Sequence, residues 1–266
     1  MATLVTFHAH PDDEAIACAG TMARAAAEGH RVVLVVATRG EHGEVEEGVL
    51  APGESLSERR EVETHAAAGI VGAARVVFLG YHDSGMIGSP ENDAPASFWQ
   101  ADLEEAAARL AAILAEERAD ALTVYDDHGG YGHPDHIQVH RVGIRAAELA
   151  GTPRVYESTV DRDYILAMMA RAAETGEGFG EVEPPAIDFN ELGSPGHMIT
   201  TTVDVSAYLD QKRRAMAAHA SQISPESFFL KMSPEVFAAT WGREWYIRRG
   251  APAGTVEHWL LDDARP

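Results

Sequence analysis

Short apolar runs alternating with alanine-rich helical stretches limit this chain to few folds. Leu4 to Phe7, Arg31 to Ala37, Arg75 to Leu79, Ala121 to Tyr125 and Arg154 to Tyr156 have the length and side chains of buried strands. Between them Glu14 to Glu28, Ser55 to Ile70, Ala101 to Arg118 and His136 to Leu149 carry helical periodicity with many strong helix formers. Gly29 and Gly151 fall where helices would stop. Strands apolar on both faces fit a sheet sandwiched between helices. The expectation is an α/β protein, a Rossmann-like three-layer sandwich with a mostly parallel sheet, folded as one domain over residues 1–266. Thr200 to Val205 reads as a further strand, and Ser206 as the cap of a helix reaching about Ala220. Trp241, Trp245, Tyr246 and Trp259 place a strand and short helices over the core. The stretch 174–197, rich in Gly, Pro and acidic residues, reads as a lid-like insertion.

In a parallel sheet, ligands gather at the carboxyl ends of the strands. Four loops leave that edge: His10 to Glu14, Thr38 to Glu44, Gly80 to Met86 and Asp126 to His136. A net charge of −21 argues against nucleic acid or an anionic membrane surface as partner. No stretch approaches the ~20 apolar residues of a membrane span. A single cysteine, Cys18, excludes an intramolecular disulfide and suits a reducing cytoplasm; the sequence shows no signal peptide. Cytoplasmic localisation is the expectation, and edge strands with tail aromatics leave a homo-oligomer open.

The first loop places His10 two residues before the adjacent carboxylates Asp12 and Asp13. Neighbouring aspartates in a turn diverge, so one can join the imidazole on a divalent metal while the other handles protons. His133-Pro134-Asp135-His136 repeats the theme: Pro134 suits a first helical turn, and His133 and His136, three apart, share a face. One Asp and two His make a common three-ligand set with a position left for water. The spare carboxylate would serve as base, the spare histidine as acid and oxyanion stabiliser, with Asp135 fixing its tautomer. The bland alternative makes Asp12 and Asp13 a helix cap; it leaves the repeated His-Pro-Asp unexplained. His42, His65, His82, His140, His197 and His258 read as solvated residues, whereas His8 could pair with His10 as His-x-His.

His10-Pro11-Asp12-Asp13-Glu14 together with His133-Pro134-Asp135-His136 resembles the motif pair of the PIG-L/LmbE-like metal-dependent N-deacetylases, which act on N-acetylglucosaminyl substrates. The resemblance continues through Thr38-x-Gly40-Glu41, Arg60-x-x-Glu63, Phe78-Leu79-Gly80-Tyr81, Asp83-Ser84-Gly85-Met86 and His219-Ala220-Ser221-Gln222. It implies His10, Asp13 and His136 as ligands of Zn2+, with Fe2+ or another divalent metal as alternatives, and Asp12 as general base. His133 would be acid and oxyanion stabiliser, oriented by Asp135, and Tyr131 would reach the tetrahedral intermediate. Arg60, Asp83 and Glu41 match positions that grip sugar hydroxyls; for Arg60 an ion pair with Glu63 competes, and for Asp83 a turn cap. Mycothiol-pathway members look most similar, through Gly129 to His136 and Ala218 to Gln222. Some thiol-sugar members carry a lysine soon after the Asp-Asp-Glu run, where Ala15 to Ala19 holds no cation.

The implied activity is removal of acetyl from an N-acetylated amino sugar, a small-molecule substrate, by metal-activated water. Two rivals stand beside it. A His-x-His amidohydrolase with His8 and His10 as ligands requires a barrel of about eight strand-helix units. A non-catalytic sugar-binding protein predicts the loss of a ligand or of the base.

Overall fold

The computed structural model describes residues 1–45, 48–175 and 188–262. Its strands are β1 (Thr3–His8), β2 (Arg31–Val36), β3 (Arg75–Phe78), β4 (Ala121–Tyr125), β5 (Val155–Thr159), β6 (Thr201–Asp204) and β7 (Arg243–Arg248). All seven join one sheet in the order β3-β2-β1-β4-β5-β7-β6. The first five are parallel, while β7 pairs antiparallel with both β5 and β6. This open sheet matches the expected mostly parallel α/β sandwich and rules out the barrel.

The helices are α1 (Asp13–Ala17), α2 (Ala19–Ala27), α3 (Leu56–Ile70), α4 (Leu103–Glu117), the single turn α5 (Gly129–Gly132), α6 (Pro134–Ala150), α7 (Arg162–Thr175), α8 (Leu209–Ala218), α9 (Phe228–Lys231) and α10 (Pro234–Trp241). Alternation along the strands explains the two layers. Leu4, Val32, Leu34 and Val36 face a core shared with α2, α3 and α8; Val5, Phe7, Val33 and Val35 face one shared with α4 and α6. Every residue of β1 and β4 is buried. Tyr246 and Trp259 are buried in the first of these cores with Trp241 packed against it, whereas Trp245 is buried against Tyr164.

The expected helix over Glu14 to Glu28 is in two pieces, broken at Cys18 (φ −144°, ψ 14°). The new amino terminus is satisfied from far away: Gly20 and Thr21 donate their amides to the Glu244 carboxylate at 2.9 and 2.8 Å. Ser206 does not cap α8. It opens a 3-10 turn (Ser206–Tyr208), and its amide donates to the Asp204 side chain instead. Of the expected insertion at 174–197, residues 176–187 lie outside the described residues. The chain returns with the Gly193 amide bonded to the Gly130 carbonyl at 2.9 Å. Among the described residues no helix is long and apolar enough to cross a membrane.

From β1 the chain builds outward through β2 to β3, then crosses back to place β4 on the other side of β1. The carboxyl ends of β1 and β4 thus flank the point where strand order reverses, where open α/β sheets form a crevice. His10 to Glu14 and His133 to His136 emerge there together.

Candidate active site

Past the end of β1 the chain turns sharply. Asp12 adopts φ 94°, ψ −28°, and it and Arg118 are the two non-glycine residues with positive φ among the described residues. For a side chain with a Cβ this conformation costs on the order of 1–3 kcal/mol and persists only where surroundings impose it. Three groups do so. Glu14 Oε2 accepts the Asp12 amide at 3.1 Å. The buried Arg60 of α3 donates to the Pro11 carbonyl and, at 2.9 Å, to the Gly40 carbonyl. Its guanidinium also lies 3.4 Å from Asp12 Oδ2. Asp12 occupies the N-cap position of α1 without any side-chain capping bond, so its carboxylate is engaged by the Arg60 guanidinium rather than by the start of the helix.

The β4 end is shaped by Gly129, Gly130 and Gly132, with φ of 70°, 74° and 90°. Asp126 anchors this turn by accepting the Gly130 amide at 2.6 Å. The turn presents Tyr131 at the surface and His133 at the N-cap of α6, with Pro134 in the first turn as expected. His10, His133 and His136 then meet, with ring centroids 4.6 Å (His10–His133), 5.5 Å (His10–His136) and 5.2 Å (His133–His136) apart. The Tyr131 ring lies edge-on to His136 at 5.0 Å.

Asp13 bridges two of these imidazoles. Its Oδ2 lies 3.4 Å from His10 Nδ1 and accepts the His10 amide at 2.8 Å; its Oδ1 lies 3.4 Å from His136 Nε2. His136 Nε2 is buried and has no hydrogen-bond partner. Such an atom carries a full desolvation penalty unless something else completes it. One carboxylate and two imidazoles, one of them with an orphaned nitrogen, fit a divalent cation. Close-set donors also include His10 with His133 and His136, and His10 with Asp83 and Asp135.

Charges in the site are set by burial and by the crowd of carboxylates. Burial, reinforced by Asp13 and Glu14 and opposed by Arg60 and His219, pushes the Asp12 carboxyl up to about 6. Burial works against ionising Asp13 as well, but His136 and His10 overcome it and hold that carboxyl well below the usual range. His10 is raised well above its ordinary value because Asp13, Asp135 and Asp83 outweigh burial. His133 is driven down to about 3 by burial and by His10 and His136 beside it. It is therefore a neutral imidazole. Since its Nδ1 accepts the Asp135 amide at 3.1 Å, its proton sits on Nε2.

Several expectations about individual residues need correction. The Asp135 carboxylate does not orient His133: it binds the Ser84 hydroxyl and amide (2.9 Å to the amide) and His10 Nε2 at 3.1 Å, and only its main-chain amide meets His133. Arg60 does not pair with Glu63, whose carboxylate accepts the Ser221 amide and hydroxyl at 2.9 and 2.6 Å. Asp83 lies 3.4 Å from His10 Nε2 and accepts amides from His42 and Gly85, while Glu41 accepts the Asp83 amide at 3.1 Å. These two acids knit adjacent loops together, with Asp83 buried between them. His8 turns away from His10: its ring nitrogens face Tyr125 Oη at 3.0 Å and Cys18 Sγ at 3.2 Å, so no His-x-His pair forms.

Sequence reasoning missed the partners behind the site. Tyr125 stacks on His136 with ring centroids 4.2 Å apart. The buried His219, just past α8, places Nε2 2.6 Å from Glu14 Oε1. Burial raises Glu14 and lowers His219, but their mutual attraction wins at both, leaving the carboxyl low and the imidazole high. A histidine in a His-Ala-Ser-Gln run was the available signal, without anything to say what it faced.

Residues 5–147 match the family described as PIG-L, GlcNAc-PI de-N-acetylase. A 1D-myo-inositol 2-acetamido-2-deoxy-alpha-D-glucopyranoside deacetylase of Catenulispora acidiphila is 39% identical over 95% of this chain and 85% of its own. Among solved structures, the N,N'-diacetylchitobiose deacetylase of Pyrococcus horikoshii has a TM-score of 0.57 at 19% identity, over 99% of this chain and 86% of that one. The 4-carboxy-2-hydroxymuconate hydratase GalB of Pseudomonas putida has a TM-score of 0.60 at 18% identity, over 95% of this chain and 98% of that one. A hydratase on the same fold means that the scaffold alone does not decide the chemistry.

Proposed function

Because the chain belongs to the PIG-L family of GlcNAc-PI de-N-acetylases, we propose that it is a metal-dependent hydrolase removing the acetyl group of an N-acetylglucosaminyl small molecule, of which an inositol glycoside is the leading candidate. The observation that carries this reading is the orphaned His136 Nε2 facing the Asp13 carboxylate that also touches His10, with Asp12 just before it in the chain and its carboxylate not used to cap α1. His10, Asp13 and His136 would hold the ion, with zinc as the preferred metal for such a donor set. A divalent cation supplies Lewis-acid polarisation and a lowered pKa for water at that position.

The chain's own groups divide the rest. Asp12, pushed up to about 6, is ionised at neutral pH yet basic enough to take a proton from attacking water. As the water oxygen bonds to the acetamide carbon, the carbonyl oxygen gains charge. His133, neutral with its proton on Nε2, is a donor suited to that oxyanion. The Tyr131 hydroxyl is a second donor, carried on the glycine-rich turn. When the C–N bond breaks, the amine needs a proton. The one held by Asp12 serves, because an imidazole titrating near 3 is seldom charged at neutral pH. Acetate and a free amine leave. Glu41 and Asp83, which join the adjacent loops, are the candidate partners for sugar hydroxyls; Arg60, buried beneath Pro11 and Gly40, acts through Asp12.

The test is acetate and amine release from glucosaminyl-inositol, chitobiose and glucosaminyl-malate N-acetyl compounds, before and after dipicolinate treatment and zinc add-back. Turnover should vanish with the metal and return with it. Turnover indifferent to the chelator would refute the reading.

A further inference from the structure

Behind Asp12 lies a closed ring of buried contacts that the hydrolytic step itself does not use. Glu14 Oε2 holds the Asp12 amide, and Glu14 Oε1 holds His219 Nε2 at 2.6 Å. Two residues beyond His219, Ser221 gives its amide and hydroxyl to Glu63. Glu63 lies on α3, and Arg60, one helical turn earlier, returns to the Pro11 carbonyl and to Asp12. The members come from three separate regions of the chain, and Glu14, Arg60, Glu63, His219 and Ser221 are all buried. A ring of this kind fixes one peptide at an angle the chain would not choose alone, φ 94° at Asp12.

We propose that Glu14 and His219 are positioning residues for the base: Glu14 accepts the Asp12 amide and His219 orients Glu14, so that the Asp12 carboxylate is aimed at the attacking water. This inference rests on Asp12 being the base. Neither residue is among the groups that would hold the metal. His219 arrives at the end of α8, and its contact to Glu14 fastens the carboxyl-terminal half of the chain to the first strand-end turn. Misaiming a catalytic group by about 1 Å can cost a hundredfold in rate while leaving binding intact. The expected signature is thus a loss in kcat without a matching change in KM or metal content.

The experiment compares wild type, Glu14→Ala, Glu14→Gln, His219→Asn and Asp12→Asn, all metal-loaded, by steady-state amine release, metal stoichiometry and thermal melting. Glu14→Ala should lower kcat about 10- to 100-fold with KM within about twofold and one metal still bound. Glu14→Gln, whose carboxamide oxygen can still accept the Asp12 amide, should recover most of that loss. His219→Asn should lower kcat at unchanged KM, and it carries the test if Glu14→Ala does not fold. The inference is overturned if Asp12→Asn is inactive while Glu14→Ala, or His219→Asn in its place, turns over like wild type, or if either loses metal in proportion to activity. Wild-type turnover by Asp12→Asn would instead sink the base assignment on which the inference stands.

Discussion

Lys212→Met isolates how the carboxyl-terminal layer holds the first helices in place. Lys212 Nζ is buried, 2.6 Å from Glu244 Oε1 and 2.8 Å from the Ile16 carbonyl, and lies over the Trp241 ring at 5.3 Å. Methionine keeps much of the aliphatic stem and deletes the cation. The Glu244 carboxylate stays buried, still accepting the Gly20 and Thr21 amides at the start of α2, with the Tyr246 hydroxyl at 3.3 Å. Removing one partner of a buried pair costs ~3–5 kcal/mol. Those three surviving donors offset part of this, whereas the stranded Ile16 carbonyl adds to it, so a loss of about 3 kcal/mol is expected. At ~2–4 °C per kcal/mol for a chain of this size, the melting temperature should fall by about 6–12 °C. Urea unfolding followed by far-UV circular dichroism, with calorimetry alongside, measures both quantities. A loss under about 1 kcal/mol would show that Glu244 needs no cation and would refute this account of the α2 start.

The pH dependence follows from Asp12. Its ionised form is the active one, so kcat/KM should be half-maximal near about 6, level off at higher pH and decline as pH falls through that value; a divalent cation nearby favours the ionised form and can move this limb only to lower pH. A pH-rate profile with no acidic limb tied to Asp12, judged against Asp12→Asn, would refute the assignment. Gly40→Ala should damage the site through Arg60: φ is +65°, and a Cβ would stand 2.2 Å from Arg60 Nη1. Left-handed strain and displacement of a buried cation together should cost about 2–4 kcal/mol and lower kcat, read by urea melts and steady-state kinetics.

The sheet was legible because its signals are local. Five apolar runs and the helices between them state their own structure, and parallel order follows from their alternation. Where the reading slipped, a distant residue had intervened. Ala15 to Ala27 offers no reason to stop a helix at Cys18; the reason is Glu244, more than 220 residues away, which supplies the acceptors for a second helix start. Likewise Ser206 looks like a cap by itself, yet Asp204 takes its amide.

In the site the same division separates what a residue is from what it faces. The two motifs, His10 to Asp13 and His133 to His136, could be grouped from sequence because each follows a strand end and the topology forces those ends together, whereas which of their residues would hold a metal is implied only by the family resemblance. Roles that depend on side-chain direction were not accessible. Asp135 and Arg60 each sit beside an obvious partner in sequence, His133 and Glu63, and each turns to another: Asp135 to Ser84 and His10, Arg60 to Pro11 and Gly40. Both choices are made by burial, since a buried carboxylate or guanidinium goes where most donors or acceptors converge. Glu14 follows this rule too. Two acceptor oxygens, one Asp12 amide and one His219 ring nitrogen account for it more fully than helix capping does, and they place the determinant of the base's geometry in the last third of the chain.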